Sequence, residues 1–174
     1  MRDALSALYV LLGEYEDQEL PSAEPSKSQF YEWFPLPLAE WGTSMELAQR
    51  TLIEERHYWS GDERFLDVGC GIGTKMRLAE LMGWSASGLE YWEPYAQVAR
   101  GHGLDVTVTE ASGFEGYDTF DLVYIFRLCV ELDDEAALTA HIASRMRLGA
   151  LLFHAGGPDP DWLEHIGESV WRVV

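Results

Sequence analysis

The sequence predicts an α/β fold in which helices pack on a doubly wound, mostly parallel sheet. Three observations predict it. Strand-like and helix-like segments alternate from residue 64 onward, a glycine-rich turn follows the first strand, and 47% of the 174 residues are hydrophobic. That apolar content is enough for one core. We expect a single domain over residues 1–174, with an N-terminal extension over 1–60 and an α/β core over 61–174.

The N-terminal extension is predicted to be helical and rich in aromatic residues. Leucines at helical spacing predict a helix over residues 3–16, and Thr43 with Glu46 has the pattern of a capping box for a helix that reaches about Tyr58. Prolines keep residues 17–42 irregular, but this segment has too many aromatic residues for a disordered linker. They are Phe30, Tyr31, Trp33, Phe34 and Trp41. The segment either covers the carboxyl edge of the sheet as a lid or extends the core.

The α/β core is predicted to contain five strands in sequence, at residues 64–68, 85–90, 105–109, 121–126 and 149–154. Helices separate them: one runs from Thr74 to about Gly83, one is opened by Pro94 and closed by Gly101, and one begins near Asp133. After residue 154 only about twenty residues remain, which we interpret as a short helix from Asp159 and a sixth strand over 170–174. The sheet is therefore expected to be abbreviated at its C-terminal edge, where a second copy in a homodimer could cover it.

The turn over residues 69–73 carries the clearest chemical signal. It follows the apolar run Phe65–Val68, and glycines occupy positions 69, 71 and 73. Glycines allow a tight turn and a close approach of the backbone to a ligand. A dinucleotide fingerprint needs its third glycine three residues after the second, but Thr74 stands there. The spacing therefore argues against a nicotinamide or flavin cofactor, and Thr74 is expected to cap the helix that follows.

Charge and cysteine content exclude several classes of function. The formal net charge is −18, from 30 acidic and 12 basic residues. Nucleic acids and anionic membranes are expected to be repelled, because Lys and Arg supply most of the affinity for phosphate. The 2 cysteines have neither zinc-ligand nor disulfide-framework spacing, so no metal is expected. With no apolar run long enough to span a bilayer, we expect a cytoplasmic protein.

The glycine at every second position, with Asp67 two residues before the first, resembles the cofactor loop of the class I (Rossmann-like) S-adenosylmethionine-dependent methyltransferases. The resemblance extends from Phe65 to about Gly156 in the order of the elements. It implies that Glu90, at the end of the second strand, accepts hydrogen bonds from both ribose hydroxyls, and that Asp67 helps to hold the methionine amino group. Glu110 would accept the adenine amino group. The implied cofactor-binding set is Asp67, Gly69, Cys70, Gly71, Gly73, Glu90, Tyr91, Trp92, Glu110, Ala111 and Phe126, with Tyr91 and Trp92 beside the adenine ring.

The resemblance implies methyl transfer from S-adenosylmethionine to a small molecule or a protein side chain. The Asp/Asn-Pro-Pro-Tyr motif of methyltransferases that act on bases or amides is absent after the fourth strand. Arg127 could instead bind an anionic substrate group or pair with a nearby acid, and His154 could be a general base or a structural histidine. Two other functions stay open: a non-catalytic cofactor-binding module or partner subunit, and a nicotinamide-binding oxidoreductase.

Overall fold

The computed structural model describes residues 38–126, 132–157 and 159–174. The predicted helix over 3–16, four of the five N-terminal aromatic residues and Arg127 lie outside this described part. The chain divides into two compact units, residues 1–43 and 44–174. The predicted extension over residues 1–60 and the predicted core over 61–174 stay predictions.

The described secondary structure follows the predicted alternation. In chain order the helices and strands are α1 Leu38–Arg56, β1 Arg64–Val68, α2 Thr74–Leu81, β2 Ser85–Glu90, α3 Glu93–Gly101, β3 Asp105–Val108, β4 Leu122–Phe126, α4 Leu132–Ala143, β5 Leu151–Ala155, β6 Glu164–Gly167 and β7 Val170–Arg172. Two 3-10 turns, Ala111–Gly113 and Gly116–Thr119, connect β3 to β4. Within the described residues, no helix is both long and apolar enough to cross a membrane.

The strands form one seven-stranded sheet in the order β3-β2-β1-β4-β5-β7-β6. Strands β1 to β5 pair in parallel, whereas β7 pairs antiparallel with both β5 and β6. The prediction of a doubly wound, mostly parallel α/β fold is therefore confirmed. The order reverses direction between β1 and β4, and the carboxyl ends of the strands at such a switch point are where α/β proteins bind ligands.

The expected abbreviation of the sheet at its C-terminal edge is wrong. The predicted helix from Asp159 does not form; the described residues between 156 and 163 make bends and turns instead. Because no helix forms there, enough of the chain is left for β6 and β7. These two strands form a hairpin whose turn includes Glu168 at φ 49°. The sheet is complete because two strands of three or four residues occupy the space expected for a helix and one strand.

Each face of the sheet is covered by a separate apolar cluster, because side chains alternate along the strands. The cluster on the α4 face includes Leu66 of β1, Leu89 of β2, Ile125 of β4 and Ile142 of α4. On the opposite face, Met76 of α2 and Ala96, Ala99, Leu104 and Val106 pack together. The two clusters cover the faces of the sheet and leave the strand ends for polar groups.

Two helix ends differ from the sequence prediction, and a third matches it. Helix α1 begins at Leu38 rather than at Thr43, whose hydroxyl donates to the Ala39 carbonyl at 2.8 Å as an interior residue does. The capping box at Thr43 is therefore wrong. Gly83 ends α2 as predicted, with φ 89° and the paired hydrogen bonds of a glycine C-cap. Helix α3, by contrast, is closed by Gly103 at φ 79° rather than by Gly101.

An ion-pair network fixes the amino end of the sheet. Asp121, which precedes β4 and is 8% exposed, accepts hydrogen bonds from Arg56 at 2.5 Å and from the backbone N–H of Arg64 at 2.7 Å. Arg147 also pairs with it. The network ties α1, β1 and β4 together at the edge opposite the glycine loop.

Candidate functional site

The glycine loop lies at the carboxyl end of β1, and its backbone is hydrogen-bonded to β2. Gly69, Gly71 and Gly73 have φ angles of 77°, 56° and 86°, which favour glycine. The backbone N–H groups of Gly69 and Cys70 both donate to the Leu89 carbonyl, at 2.8 and 2.9 Å. The loop is thus held against the residue that precedes Glu90.

Glu90 is a buried carboxylate at this edge of the sheet, with 4% of its surface exposed. One of its oxygens, Oε2, accepts a hydrogen bond from the backbone N–H of Gly71 at 2.8 Å. The other, Oε1, accepts from the N–H of Trp92 at 2.9 Å. Because an ionised carboxylate offers about four lone-pair sites, each oxygen keeps capacity for one further donor. A neighbouring pair of hydroxyl groups fits this arrangement.

Gly73 and the side chain of Cys70 serve packing. A Cβ at Gly73 would lie 2.2 Å from Leu104 Cδ1, so this position admits only glycine without movement of the core. Cys70 is buried in the same cluster as Leu104 and Met76. Thr74 is the first residue of α2 and not its N-cap, because Gly73 occupies the N-cap position.

Asp67 is buried within β1, with 3% of its surface exposed. It lies beside Gly88 of β2 and Tyr124 of β4 in the sheet register. This position is one residue before the last residue of β1, so the structure places Asp67 next to the glycine loop, as the sequence suggests.

The two aromatic residues after Glu90 differ in their surroundings. Tyr91 is 69% exposed. Trp92 is partly buried and packs edge-to-face on Tyr95 of α3, with ring centroids 4.3 Å apart. Trp92 is therefore the more firmly held of the two aromatic surfaces at the end of β2.

The end of β3 lies beside Glu90. The N–H of Thr109 donates to the Glu90 carbonyl at 3.1 Å, and the first 3-10 turn begins two residues later. Glu110 is exposed, whereas Ala111 is partly buried against the α4-face cluster. Phe126, at the end of β4, is partly buried. The structure thus brings the ends of β1, β2, β3 and β4 to one edge, with the predicted residues along it.

His154 lies in β5 and is 2% exposed. Its Nε2 atom lies 3.5 Å from Glu135 Oε1 and 3.4 Å from Thr139 Oγ1, both on α4. A Cβ at Gly157 would lie 2.7 Å from Nε2, so the chain after β5 packs directly on the ring. Burial lowers the pKa of His154, and the nearby carboxylates of Glu135 and Asp159 only partly oppose this.

The sequence analysis missed Glu135. It is 2% exposed and lies on the same face of α4 as Thr139 and Ile142, because residues three and four apart share a helix face. Two polar residues on the same helix face as the partly buried Leu138 and the buried Ile142 are the signal that could have identified this buried pair.

The described residues hold no group of three or more His, Cys, Asp or Glu side chains that could bind a metal ion. The prediction of no metal site concerns the whole chain and stays a prediction.

The sequence matches no protein-family model, and no curated protein sequence matches it. Solved structures do resemble it. CalS10, an amino pentose methyltransferase from Micromonospora echinaspora solved with S-adenosylmethionine bound, has a TM-score of 0.53 at 22% identity and covers 69% of this chain and 52% of its own. WbdD, crystallised with a kinase inhibitor, has a TM-score of 0.52 at 13% identity over 68% of this chain and 30% of its own. A methyltransferase from Methanosarcina mazei has a TM-score of 0.48 at 21% identity over 58% and 55%.

These similarities concern the fold. The chain has the seven-stranded, Rossmann-like fold of the class I S-adenosylmethionine-dependent methyltransferases, and the family resemblance predicted from the glycine loop is confirmed at this level. The match with CalS10 spans about half the length of that protein.

Proposed function

We propose that this protein binds S-adenosylmethionine at the carboxyl ends of β1 to β4 and transfers its methyl group to a small molecule or a protein side chain. The observation that carries the proposal is Glu90, a buried carboxylate that is bonded to the glycine loop and has one acceptor site left on each oxygen. The fold it shares with CalS10, which was solved with this cofactor bound, supports the same proposal.

The residues present fit the chemical groups of this cofactor. Glu90 would accept both ribose hydroxyls, because its oxygens are acceptor-only and already fixed by Gly71 and Trp92. Asp67 would balance the methionine ammonium beside the glycine loop, which favours burial of its charge. The remaining members of the set are Gly69 and the backbone of Cys70 at the loop, Gly73 as the packing residue behind it, and Tyr91, Trp92, Glu110, Ala111 and Phe126 on the adenine side.

The bound cofactor supplies a methyl group that its sulfonium already activates, so the protein's task is mainly alignment and exclusion of water. A general base is needed only when the acceptor carries a proton of high pKa. We propose His154 for that role or, because it is buried against Glu135, for holding the end of β5 in place. Arg127 is proposed as a substrate contact.

The partners of the protein are proposed from its charge and from its sheet edge. A net charge of −18 disfavours nucleic acid as the acceptor, which leaves small molecules and protein side chains. The sequence predicts a homodimer that covers the C-terminal edge of the sheet. Because β6 is the strand at that edge, we propose that two copies would pair through β6. A cytoplasmic location is proposed from the cysteine pattern.

Isothermal titration with S-adenosylmethionine and with NAD tests the cofactor. We expect the first to bind and the second not to bind. Release of S-adenosylhomocysteine in a screen of small-molecule and peptide acceptors tests transfer. Binding without transfer to any acceptor would favour the non-catalytic module, and binding of NAD alone would favour the oxidoreductase.

A further inference from the structure

The 3-10 turn Ala111–Gly113 is held from two sides by side chains of other elements. The Tyr117 hydroxyl donates to the Ala111 carbonyl at 2.8 Å. His141 Nε2, in the last turn of α4, lies 3.1 Å from the Ser112 carbonyl. Two successive carbonyls of one turn are thus contacted by an aromatic hydroxyl and an imidazole.

Both donors are suited to this task. Tyr117 is fully buried, its ring packs edge-to-face on Phe114 with centroids 5.0 Å apart, and burial raises its pKa, so the hydroxyl keeps its proton. A carbonyl oxygen can only accept, so His141 must carry a proton on Nε2. Both the neutral tautomer protonated there and the imidazolium satisfy this requirement.

The turn that these two residues contact directly follows Glu110. Glu110 in turn follows Thr109, whose backbone is hydrogen-bonded to Glu90 at the site. The Thr109 N–H is bonded to the Glu90 carbonyl at 3.1 Å, and the N–H of Gly113 closes the turn on the Glu110 carbonyl at 3.1 Å. The position of the Glu110 backbone is therefore set by Glu90 on one side and by the held turn on the other.

We propose that His141 and Tyr117 are positioning residues that set selectivity for the base of the nucleoside. They fix the turn so that Glu110 and Ala111 face the adenine edge. The inference rests on the proposed function, because it takes this turn as the adenine side of an S-adenosylmethionine site. Recognition of the base would then depend on helix α4, which carries His141, as well as on the turn itself.

The test compares two probes, S-adenosylhomocysteine and its inosine counterpart, in which a carbonyl replaces the adenine amino group. A carboxylate that accepts from the amino group is repelled by that carbonyl, so the wild-type protein should bind the adenine probe roughly tenfold or more tightly. In His141→Ala and in Tyr117→Phe, this ratio should fall by roughly fivefold. His141→Gln offers an N–H at similar reach and should restore part of it.

The matched control is His165→Ala. His165 Nε2 lies 3.0 Å from the Glu168 carbonyl in the β6–β7 hairpin, so this variant removes the same type of contact away from the turn. Its ratio should equal that of the wild type. Thermal unfolding of each variant identifies any general loss of structure, which would weaken both probes equally.

An unchanged ratio in both His141→Ala and Tyr117→Phe, in protein that binds the adenine probe, would overturn the inference and leave the proposed function intact. Equal binding of both probes by the wild type would also overturn it. Binding of neither probe would contradict the proposed function itself, and the inference would fall with it.

Discussion

The carboxylate of Glu90 accepts a hydrogen bond of 2.8 Å from the backbone N–H of Gly71. This contact joins the end of β2 to the middle of the loop that follows β1. Glu90 is buried there, with only 4% of its surface exposed. The loop is therefore held by a side chain of the protein itself, and that side chain is the one we propose to bind the ribose. Such preorganisation reduces the ordering cost of binding.

Gly73→Ala should destabilise the protein by about 1–3 kcal/mol. Its φ of 86° disfavours any residue with a Cβ, and that Cβ would lie 2.2 Å from Leu104 Cδ1. Urea unfolding measures the change. The control is Gly101→Ala, because nothing lies within 4 Å of a Cβ at this helical position; it should match or slightly exceed the wild-type stability. Equal stability of wild type and Gly73→Ala would show that the loop is not packed as described.

His154 makes stability depend on pH below 6.5. Because its pKa is lowered by burial from the ordinary 6.5, the unfolded chain takes up a proton before the folded protein does. The contribution of His154 to the free energy of unfolding is therefore fully present above pH 6.5. It is lost as the pH falls below that value, by up to about 1.4 kcal/mol per pH unit. Urea unfolding from pH 7.5 to 5.5 should show this slope in the wild type and a flatter one in His154→Gln.

The histidine control for this slope is His165→Gln, on the exposed strand β6. It should keep the wild-type dependence on pH. The same slope in the wild type and in His154→Gln would contradict the assignment of the effect to the buried pair of His154 and Glu135.

Glu63 contributes stability in a second and more acidic range. Burial alone would raise the pKa of Glu63, but hydrogen bonds from Ser60 and Gly61 outweigh it, and the pKa lies below the ordinary 4.5. Its contribution is present above pH 4.5 and is lost as the pH falls through the lowered value. Glu63→Gln should cost about 1–3 kcal/mol at pH 7, and this difference should shrink below pH 4.5.

The control for Glu63 is Glu115→Gln, since Glu115 is exposed and only 3.6 Å from Arg145 in a surface ion pair. Glu115→Gln should change the free energy of unfolding by less than about 1 kcal/mol, both at pH 7 and below pH 4.5. A difference between wild type and Glu63→Gln that stays constant down to pH 3 would refute the role of these hydrogen bonds.

The parts of the fold that the sequence predicts best are those specified by local pattern. The bounds of β1 and β2 match their predictions because each is a short run that ends at a turn or a charged residue. The sixth strand predicted over residues 170–174 is present as β7 Val170–Arg172, whereas β6 was missed because a strand of four residues carries little pattern of its own. Their pairing depends on β5, which is distant in the sequence.

The candidate site shows the same limit. Glu90 and the glycine loop can be identified from position alone, because strand ends converge at one edge of a parallel sheet. The contacts of His154 with Glu135 and of His141 with Ser112 cannot be identified in this way, because the two residues are 19 positions apart in the first pair and 29 in the second. The sequence places residues at the ends of elements, and the three-dimensional structure shows which of them are in contact.

The affinity of Glu90 variants for S-adenosylmethionine tests the central claim most directly. Isothermal titration should show that Glu90→Ala and Glu90→Gln weaken binding by roughly tenfold or more, because hydrogen bonds to a charged group contribute about 1.5–3 kcal/mol. Glu93→Gln, an exposed carboxylate in the first turn of α3, should bind like the wild type. Affinities of folded Glu90 variants within about threefold of the wild type, a change under 1 kcal/mol, would contradict the ribose contact and the site built on it.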